Sequence, residues 1–379
     1  MRIAVVGAGI LGASAAFHLA RAGVAVTIID AAIEGRATAA GAGIVCPWVT
    51  GVEDAAFYAL YAAGARYYPE IIADLAALGE ADTGYSRVGA LCVARDPESL
   101  AAIENLAARR RAEAPEAGEV VRLRSDAARS KFPPLDAGLG AVFLSGGARV
   151  DGRRMTAALL AAAERLGAER RRGTAELLVA GDRMTGVRAG GETIAADSVV
   201  LAAGAWAPEL LRPLGLELAI APQRGQIMHL WLRDADTAAW PVVLPTGSHY
   251  LLAFENGRVV AGATREDAGF DRRITAGGLA EVLGEALRVA PGLAQASVLE
   301  TRVGFRPVGP DHRPILGWAA GPQGLLIGNG LGAAGLTIGP FAGRLLAAIA
   351  LGRAPEMDTK SFRPDRQRQM REQTPIALR

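Results

Sequence analysis

The apolar and polar positions at the start of the chain change period twice. Residues 3–6 form a short apolar run typical of a buried strand, and residues 14–21 carry apolar side chains at helical spacing. Gly23 follows the helical segment, where glycine commonly ends a helix. Residues 24–29 return to a strand pattern that ends on Asp30. The pattern therefore predicts a strand, a helix and a second strand, which is the repeating unit of a parallel sheet.

A glycine motif joins the first predicted strand to the helix. Gly7, Gly9 and Gly12 form G-x-G-x-x-G around Ile10 and Leu11. In such a motif the first glycine allows a tight turn, the second lets main-chain N–H groups approach a pyrophosphate, and the third lets the helix pack closely on the strand. The helix N-terminus adds partial positive charge and free amide donors for phosphates.

An acid at the end of the second strand completes a dinucleotide-binding fingerprint. Asp30 is placed to accept hydrogen bonds from an adenosine ribose, and an acid there disfavours the 2'-phosphate of NADP. The motif alone does not separate FAD from NAD, and a glycine-rich turn without a ligand has the same signature. The sequence predicts a dinucleotide as the ligand.

Three later segments are also rich in small residues. Residues 36–48 read RATAAGAGIVCPW, and residues 196–206 read as a buried strand followed by a glycine turn, after a hairpin-like meander over residues 176–194. Residues 328–340, GNGLGAAGLTIGP, follow an apolar run and open a helical pattern. Small side chains let the main chain lie against a flat ligand.

The late glycine segment lies within an uncharged stretch. Residues 319–343 carry no charge and meet the length criterion for a membrane span. Seven glycines in residues 324–343, together with Pro340, make a poor spanning helix, and no basic cluster flanks the stretch. We therefore expect a buried strand, a loop and a helix, and no transmembrane segment.

The composition limits the possible functions less strongly than the motifs do. The chain has 379 residues, which suggests about two domains, and its 41 basic and 39 acidic residues give a net charge of +2. This balance favours a small-molecule partner and no nucleic acid. Cys46 and Cys92 show neither a disulfide framework nor metal-ligand spacing, and the four histidines are scattered. We expect no metal and a cytoplasmic location.

In chain order, the motifs resemble the glycine oxidase and D-amino-acid oxidase and dehydrogenase family of FAD-dependent oxidoreductases. The stretches that carry the resemblance are VVGAGILGASAAFHLARAG, TAAGAGIVCP, LAAGAW, APQRGQI, VVAGATREDAGFD, TRVGFRPVGPDHRPILG and IGNGLGAAGLTIGP. The resemblance implies an α/β fold, with a Rossmann-like doubly wound FAD domain and an inserted α+β substrate domain on a mixed or antiparallel sheet. The implied divisions are residues 1–85, 145–218 and 300–356 for the FAD domain, 86–144 and 219–299 for the substrate domain, and 357–379 for a C-terminal tail.

The same resemblance implies non-covalent FAD. Some sarcosine oxidases attach flavin through a cysteine in a late segment, where this chain has none. The implied FAD contacts are Gly7, Gly9, Ile10, Leu11, Gly12, Asp30, Ala31, Thr38, Ala39, Ala40, Gly41, Ala42, Gly43, Ile44, Glu176, Ala203, Gly204, Trp206, Gly330, Leu331, Gly332, Ala333, Ala334, Gly335, Leu336 and Thr337.

Two residues carry the expected substrate chemistry. Arg306 matches the family's carboxylate-binding arginine, and the planar guanidinium suits a carboxylate. Tyr250 matches the family's substrate-side tyrosine; in a strand, its neighbour His249 would point to the opposite face. Arg302 shares strand parity with Arg306, so a pocket-facing Arg302 would indicate a second acidic group on the substrate. An exposed Arg302 paired to an acid is the simpler expectation.

The resemblance implies oxidation of the Cα–N bond of a D-amino acid, glycine or an N-alkyl amino acid by hydride transfer to flavin N5, which gives an imine and then a 2-oxo acid. The alternatives are a 2-hydroxy acid as substrate or a dinucleotide-binding module without turnover. Oxygen or a quinone is the expected electron acceptor. The sequence leaves the oligomeric state and peripheral membrane contact open.

Overall fold

The computed structural model of the protein describes residues 1–366. Residues 367–379 of the predicted tail lie outside that range. The strands are β1 (Arg2–Val6), β2 (Ala25–Asp30), β3 (Ile44–Val45), β4 (Ala90–Ala94), β5 (Val120–Leu123), β6 (Gly140–Leu144), β7 (Ala148–Arg149), β8 (Glu169–Arg172), β9 (Ala175–Ala180), β10 (Arg183–Ala189), β11 (Glu192–Ala195), β12 (Ser198–Leu201), β13 (Ala221–Trp231), β14 (Val242–Pro245), β15 (Tyr250–Ala253), β16 (Arg258–Gly262), β17 (Ser297–Val308), β18 (Ile315–Trp318) and β19 (Leu325–Asn329). The helices are α1 (Ile10–Arg21), α2 (Ala37–Ala40), α3 (Ala55–Ala77), α4 (Pro97–Glu113), α5 (Ser125–Lys131), α6 (Gly152–Arg165), α7 (Ala207–Leu211), α8 (Ala276–Val289) and α9 (Gly335–Ala350).

A six-stranded sheet has the order β18-β19-β12-β1-β2-β8. All its neighbours pair in parallel except the edge strand β18, which runs antiparallel to β19. The predicted strand, helix and strand at the N-terminus are confirmed as β1, α1 and β2. Helix α1 begins at Ile10, four residues earlier than predicted, because the motif's last glycine is itself helical.

Both faces of this sheet are covered, as a parallel sheet requires. Helices α6 and α9 both pack on α1 over one face, and α3 packs on α9. The predicted meander forms the antiparallel sheet β11-β10-β9, whose apolar side chains share a core with β1, β12 and β19 on the other face.

The uncharged C-terminal stretch forms β19, a short loop and α9, as predicted. Residues 332–350 are the one described helical segment that is long and apolar enough to cross a membrane, yet 72% of an 18-residue stretch within it is buried inside the protein. This helix packs against α1 at the centre of the fold. Its apolar composition therefore reflects a core helix.

The second sheet has eight strands in the order β17-β13-β16-β15-β14-β4-β6-β5. Its neighbours are antiparallel except β14 and β4, so the sheet is mixed. Helix α8 packs against β13 and β16. The fold class is therefore the predicted one, a mixed α/β fold with two large sheets.

The predicted boundary at residue 300 differs from the strand pairing. Strand β17 pairs with β13 along its length, from Ser297 opposite Trp231 to Val308 opposite Ala221. Residues 300–308 thus belong to the eight-stranded sheet, and the chain returns to the six-stranded sheet only at β18. The rest of the domain division stays a prediction.

Candidate active site

One large cavity lies where the two sheets meet. Its volume is about 660 Å³, within the range of ligand-binding sites. The loops that follow β1, β2, β12 and β19 form one side, and β13, β15 and β17 contribute to the other. Ligands of doubly wound folds bind at the carboxyl ends of the parallel strands, which is where this cavity opens.

The turn after β1 requires its first glycine. Gly7 has a φ of +103°, and a Cβ atom there would lie 2.4 Å from the carbonyl oxygen of Ala202. Its N–H donates to the carbonyl oxygen of Ile29 at 2.8 Å. Asp30 Oδ2 accepts from the N–H of Ala8 at 2.7 Å, so this carboxylate holds the turn in place. Its hydrogen bond to a ribose stays a prediction.

Neither α1 nor α9 is capped by the side chain of its own N-cap residue where it begins at the cavity, although Thr38 Oγ1 accepts from the N–H of Ile10 at 3.1 Å. By contrast, a side chain caps each of α3, α4, α6 and α8, through Asp54, Asp96, Asp151 and Thr275. The first N–H groups of a helix have no partner within it, so an uncapped N-terminus offers donors and partial positive charge to an anion. Both helix ends at the cavity therefore suit a negatively charged ligand.

The loop over residues 41–46 is tied to the start of α9. Gly43 has a φ of +97°, and a Cβ there would lie 1.8 Å from the carbonyl oxygen of Val150. Thr337 Oγ1 donates to the carbonyl oxygen of Ile44 at 2.8 Å. The contact between Thr337 and Ile44 brings two distant small-residue segments, residues 36–48 and 328–340, to one cavity.

The cavity fits FAD. The uncapped start of α1 can hold the pyrophosphate, the small residues of the 41–44 loop leave room for the flat ring, and the start of α9 faces the same space. At Gly9 a Cβ would meet only Thr38 Oγ1 within 4 Å, at 3.3 Å, so this glycine keeps space open for a ligand and not for protein atoms. When bound, FAD accepts two electrons from a substrate.

The cavity brings together most of the predicted site residues. Those that line it are Gly7, Gly9, Ile10, Leu11, Asp30, Ala31, Thr38, Ala40, Gly41, Ala42, Gly43, Ile44, Ala203, Gly204, Trp206, Tyr250, Arg306, Leu331, Gly332, Ala333, Gly335 and Leu336.

Other predicted residues support the wall from behind. Those outside the lining are Gly12, Ala39, Gly330, Ala334 and Thr337. A Cβ at Gly12 would lie 1.9 Å from the carbonyl oxygen of Gly7, so this glycine permits close packing and does not face the ligand.

The structure corrects the expectation for Glu176. Its side chain is exposed and pairs with Arg188 at 2.8 Å across the β9–β10 hairpin. Thr174 and Ala175 line the cavity instead. Successive side chains along a strand point to opposite faces, and the sequence does not tell which of them face the cavity.

The predicted substrate residues meet at the opposite end of the cavity. Arg306 Nη1 donates to the carbonyl oxygen of Thr264 at 3.2 Å, and its guanidinium lies beside the Tyr250 hydroxyl. A Cβ at Gly225 would lie 2.6 Å from the Arg306 guanidinium, and one at Gly262 would lie 2.7 Å from the Tyr250 hydroxyl. Two glycines therefore make the space in which this pair, the carboxylate clamp, is held.

Burial and charge shape the clamp. Burial lowers the pKa of Arg306 below its ordinary value, because the guanidinium loses water. Burial also raises the pKa of Tyr250, so its hydroxyl stays protonated near neutral pH. Within residues 1–366, no carboxylate forms an ion pair with Arg306. The clamp is therefore a positive group that lacks a counter-charge.

Arg302 follows the simpler expectation in its pairing but not in its exposure. It pairs with Glu300, and its side chain is 13% exposed. Helix α2 lies over Gly304, the residue midway between Arg302 and Arg306 in β17, where a Cβ would come within 2.6 Å of Ala40. Arg302 does not line the main cavity.

Sequence reasoning missed two polar residues at the substrate end. Arg265 lines the cavity directly after Thr264. His249 also lines it, although strand alternation placed this residue on the opposite face. Strand β15 begins only at Tyr250, so His249 belongs to the preceding loop and the alternation does not apply. Only the charge of Arg265, within the motif VVAGATREDAGFD that carries the resemblance, could have drawn attention to it.

Both cysteines are free, buried and in the cavity wall. Burial raises the pKa of Cys46 to about 12 and also raises the pKa of Cys92, so neither is a thiolate at neutral pH. In the part of the chain that the structure describes, no group of three or more metal-ligating side chains occurs.

Comparison with known proteins agrees with the geometry. Residues 2–349 match the DAO family, described as FAD dependent oxidoreductase. The crystal structure of iminodiacetate oxidase (IdaA) from Chelativorans sp. BNC1 is 52% identical, with a TM-score of 0.93 over 96% of this chain and 99% of that one. The uncharacterized oxidoreductase YurR of Bacillus subtilis is 50% identical over 95% of this chain and 97% of its own length. A glycine oxidase of Pseudomonas aeruginosa is 32% identical over 96% and 98%.

The match spans nearly the whole chain, and the cavity has the shape and donors that FAD needs. The chain therefore belongs to the DAO family of FAD-dependent oxidoreductases.

Proposed function

We propose that this protein oxidises the Cα–N bond of a small amino acid, with FAD as the hydride acceptor. The observation that carries the proposal is the carboxylate clamp. Arg306 and Tyr250 lie in the wall of the cavity that fits FAD, and the guanidinium has no acidic partner among the described residues. A substrate carboxylate supplies the missing counter-charge.

The clamp contributes by positioning. Arg306 and the Tyr250 hydroxyl hold the carboxylate, so the adjacent Cα–H is directed into the cavity. The substrate binds as the free amine, whose nitrogen lone pair helps to expel the hydride, and no strong protein base is needed. Two electrons and two protons leave the substrate in total, and water then converts the imine to a 2-oxo acid and an amine. Oxygen or a quinone reoxidises the flavin.

The relatives support the choice of an amine. One is named iminodiacetate oxidase and another glycine oxidase, and both names describe oxidation of a small amino acid. We extend that chemistry to this chain because the clamp and the FAD-lining segments lie in the same cavity.

An anaerobic titration tests the proposal. Glycine, N-methylglycine, proline, individual D-amino acids and 2-hydroxy acids are added to the FAD-loaded protein while the long-wavelength flavin absorption is followed. We expect amines to bleach the flavin and readmitted air to show whether oxygen restores it. The Arg306→Ala variant should keep FAD and lose at least about 30-fold in kcat/KM, since one partner of a charged pair is removed. Bleaching by 2-hydroxy acids alone would overturn the choice of an amine.

A further inference from the structure

A second arginine lines the substrate end of the cavity. Arg265 directly follows Thr264, whose carbonyl oxygen accepts the hydrogen bond from Arg306. The positive charge of Arg265 lowers the pKa values of both Tyr250 and Arg306, which places it beside the carboxylate clamp. Two guanidinium groups therefore lie at one end of the cavity.

Two nearby acids, Glu266 and Asp271, are bonded to other cations. Glu266 pairs with Arg224 and also accepts from Gln226 Nε2 at 2.9 Å. Asp271 pairs with Arg224 at 3.0 Å and with Arg273 at 2.8 Å. The hydrogen bonds from Arg224 and Gln226 hold the pKa of the Glu266 carboxyl down to about 2, so this acid is ionised and already paired at neutral pH.

Arg265 lines the cavity, and the ion pairs of this loop join the acids to Arg224, Arg272 and Arg273 and none to Arg265 within residues 1–366. Its exposure means that water solvates it when the cavity is empty of substrate. The acids that line the described cavity are Asp30, which holds the first glycine turn, and Glu209 in α7. The substrate end thus carries two positive charges and no compensating carboxylate.

We propose that Arg265 binds a second carboxylate of the substrate, so that the preferred substrates are amino acids with two carboxylates. This inference rests on the proposed function and makes it narrower. Arg306 and Tyr250 hold the carboxylate next to the carbon that is oxidised, and Arg265 holds the other. Arg265 thus takes the role that the sequence left open for a pocket-facing Arg302.

Iminodiacetate is the simplest such secondary amine. A hydride leaves one CH₂ group and a proton leaves the nitrogen, so two electrons reach FAD and an imine forms. Water adds to the imine, and the C–N bond breaks to give glyoxylate and glycine. N-methylglycine undergoes the same steps but carries a methyl group in place of the second carboxylate. The two compounds are therefore a matched pair that differs at the group Arg265 is proposed to bind.

The test compares these two substrates in Arg265→Met, Arg265→Lys and a control variant. Arg272→Met is the control, because Arg272 lies in the same loop, pairs with Glu34 and does not line the cavity. We expect wild type to favour iminodiacetate over N-methylglycine by at least about 30-fold in kcat/KM. Arg265→Met should lose most of that preference with less than about threefold change for N-methylglycine. Arg265→Lys should retain part of it, and Arg272→Met all of it.

A binding measurement separates this inference from the proposed function. Diglycolate has two carboxylates and methoxyacetate has one, and neither contains an amine. Both are titrated against the FAD-loaded protein by their effect on the flavin spectrum. Tighter binding of diglycolate that disappears in Arg265→Met supports the second-carboxylate site even if no amine reduces the flavin. Equal binding of the two compounds, or an equal loss of both substrates in Arg265→Met, overturns the inference while the amine oxidation stands.

Including D- and L-aspartate shows where the second carboxylate is carried. A preference for iminodiacetate places it on the nitrogen substituent, and a preference for either aspartate places it on the side chain. Both results support the site at Arg265.

Discussion

Alanine substitutions at Gly9 and Gly12, the two later glycines of the first motif, should have different effects: one on FAD affinity and the other on stability. Gly9 begins α1 with φ of −71° and ψ of 177°, an ordinary backbone conformation for any residue. An added Cβ meets only Thr38 Oγ1 within 4 Å, at 3.3 Å, so the Thr38 side chain needs to move by only a few tenths of an ångström. We expect Gly9→Ala to change the free energy of unfolding of the apoprotein by less than about 1 kcal/mol. The methyl group enters the FAD cavity, however.

Gly12→Ala places its Cβ 1.9 Å from the carbonyl oxygen of Gly7, whereas real contacts stay above about 3.0 Å. Helix α1 or the turn must therefore move by about 1 Å, which should cost about 1–3 kcal/mol of unfolding free energy. For Gly9→Ala a comparable clash falls on the cofactor, and about 2 kcal/mol corresponds to a roughly 30-fold higher Kd for FAD.

Denaturant unfolding of the apoproteins and titration with FAD, followed by protein fluorescence, measure the two effects separately. Wild-type FAD affinity in Gly9→Ala would refute the placement of the cofactor against the start of α1. An apoprotein of Gly12→Ala as stable as wild type would show that the turn yields more easily than the packing implies.

Two further predictions concern the clamp and the pH dependence of stability. Gly225→Ala puts a Cβ 2.6 Å from the Arg306 guanidinium, so we expect a KM at least about tenfold higher with unchanged FAD content, whereas Gly284→Ala, which meets nothing within 4 Å, should leave KM unchanged; steady-state kinetics decide this. Burial lowers the pKa of His18 to about 3 and that of His229 to about 4, so below pH 6.5 the unfolded chain binds protons that the folded chain does not. The free energy of unfolding should therefore fall between pH 6.5 and 4 by about 1–3 kcal/mol per pH unit, and His18→Gln with His229→Gln should flatten that slope in denaturant melts; an unchanged slope contradicts the assignment.

Local patterns in the sequence predicted the parts of the fold that local physics determines. The changes in apolar spacing over residues 3–29 predicted β1, α1 and β2, because each of these elements is specified by its own residues. The pairing of β17 with β13 could not be predicted, since it joins segments about 80 residues apart.

The candidate site shows the same division. Arg306 and Tyr250 were predicted through the resemblance, and both line the cavity. Arg265 was missed and Glu176 was misplaced, because their roles depend on which way a side chain points and on which neighbours already bind it. Those facts arise from tertiary contacts that residue type alone does not encode.

The packing of α1 on α9 determines when the protein can acquire its cofactor. Ser14 Oγ donates to the carbonyl oxygen of Pro340 at 2.6 Å, and the two residues are 326 positions apart. At roughly 5–20 residues per second, a ribosome needs on the order of 15 to 65 seconds to add the second after the first. A nascent chain therefore exposes the glycine turn long before the helix that completes the cavity exists. Cofactor capture must therefore be a late event in biosynthesis. A chain whose synthesis stalls before Gly335 lacks α9, and with it one of the two helix N-termini that line the cavity.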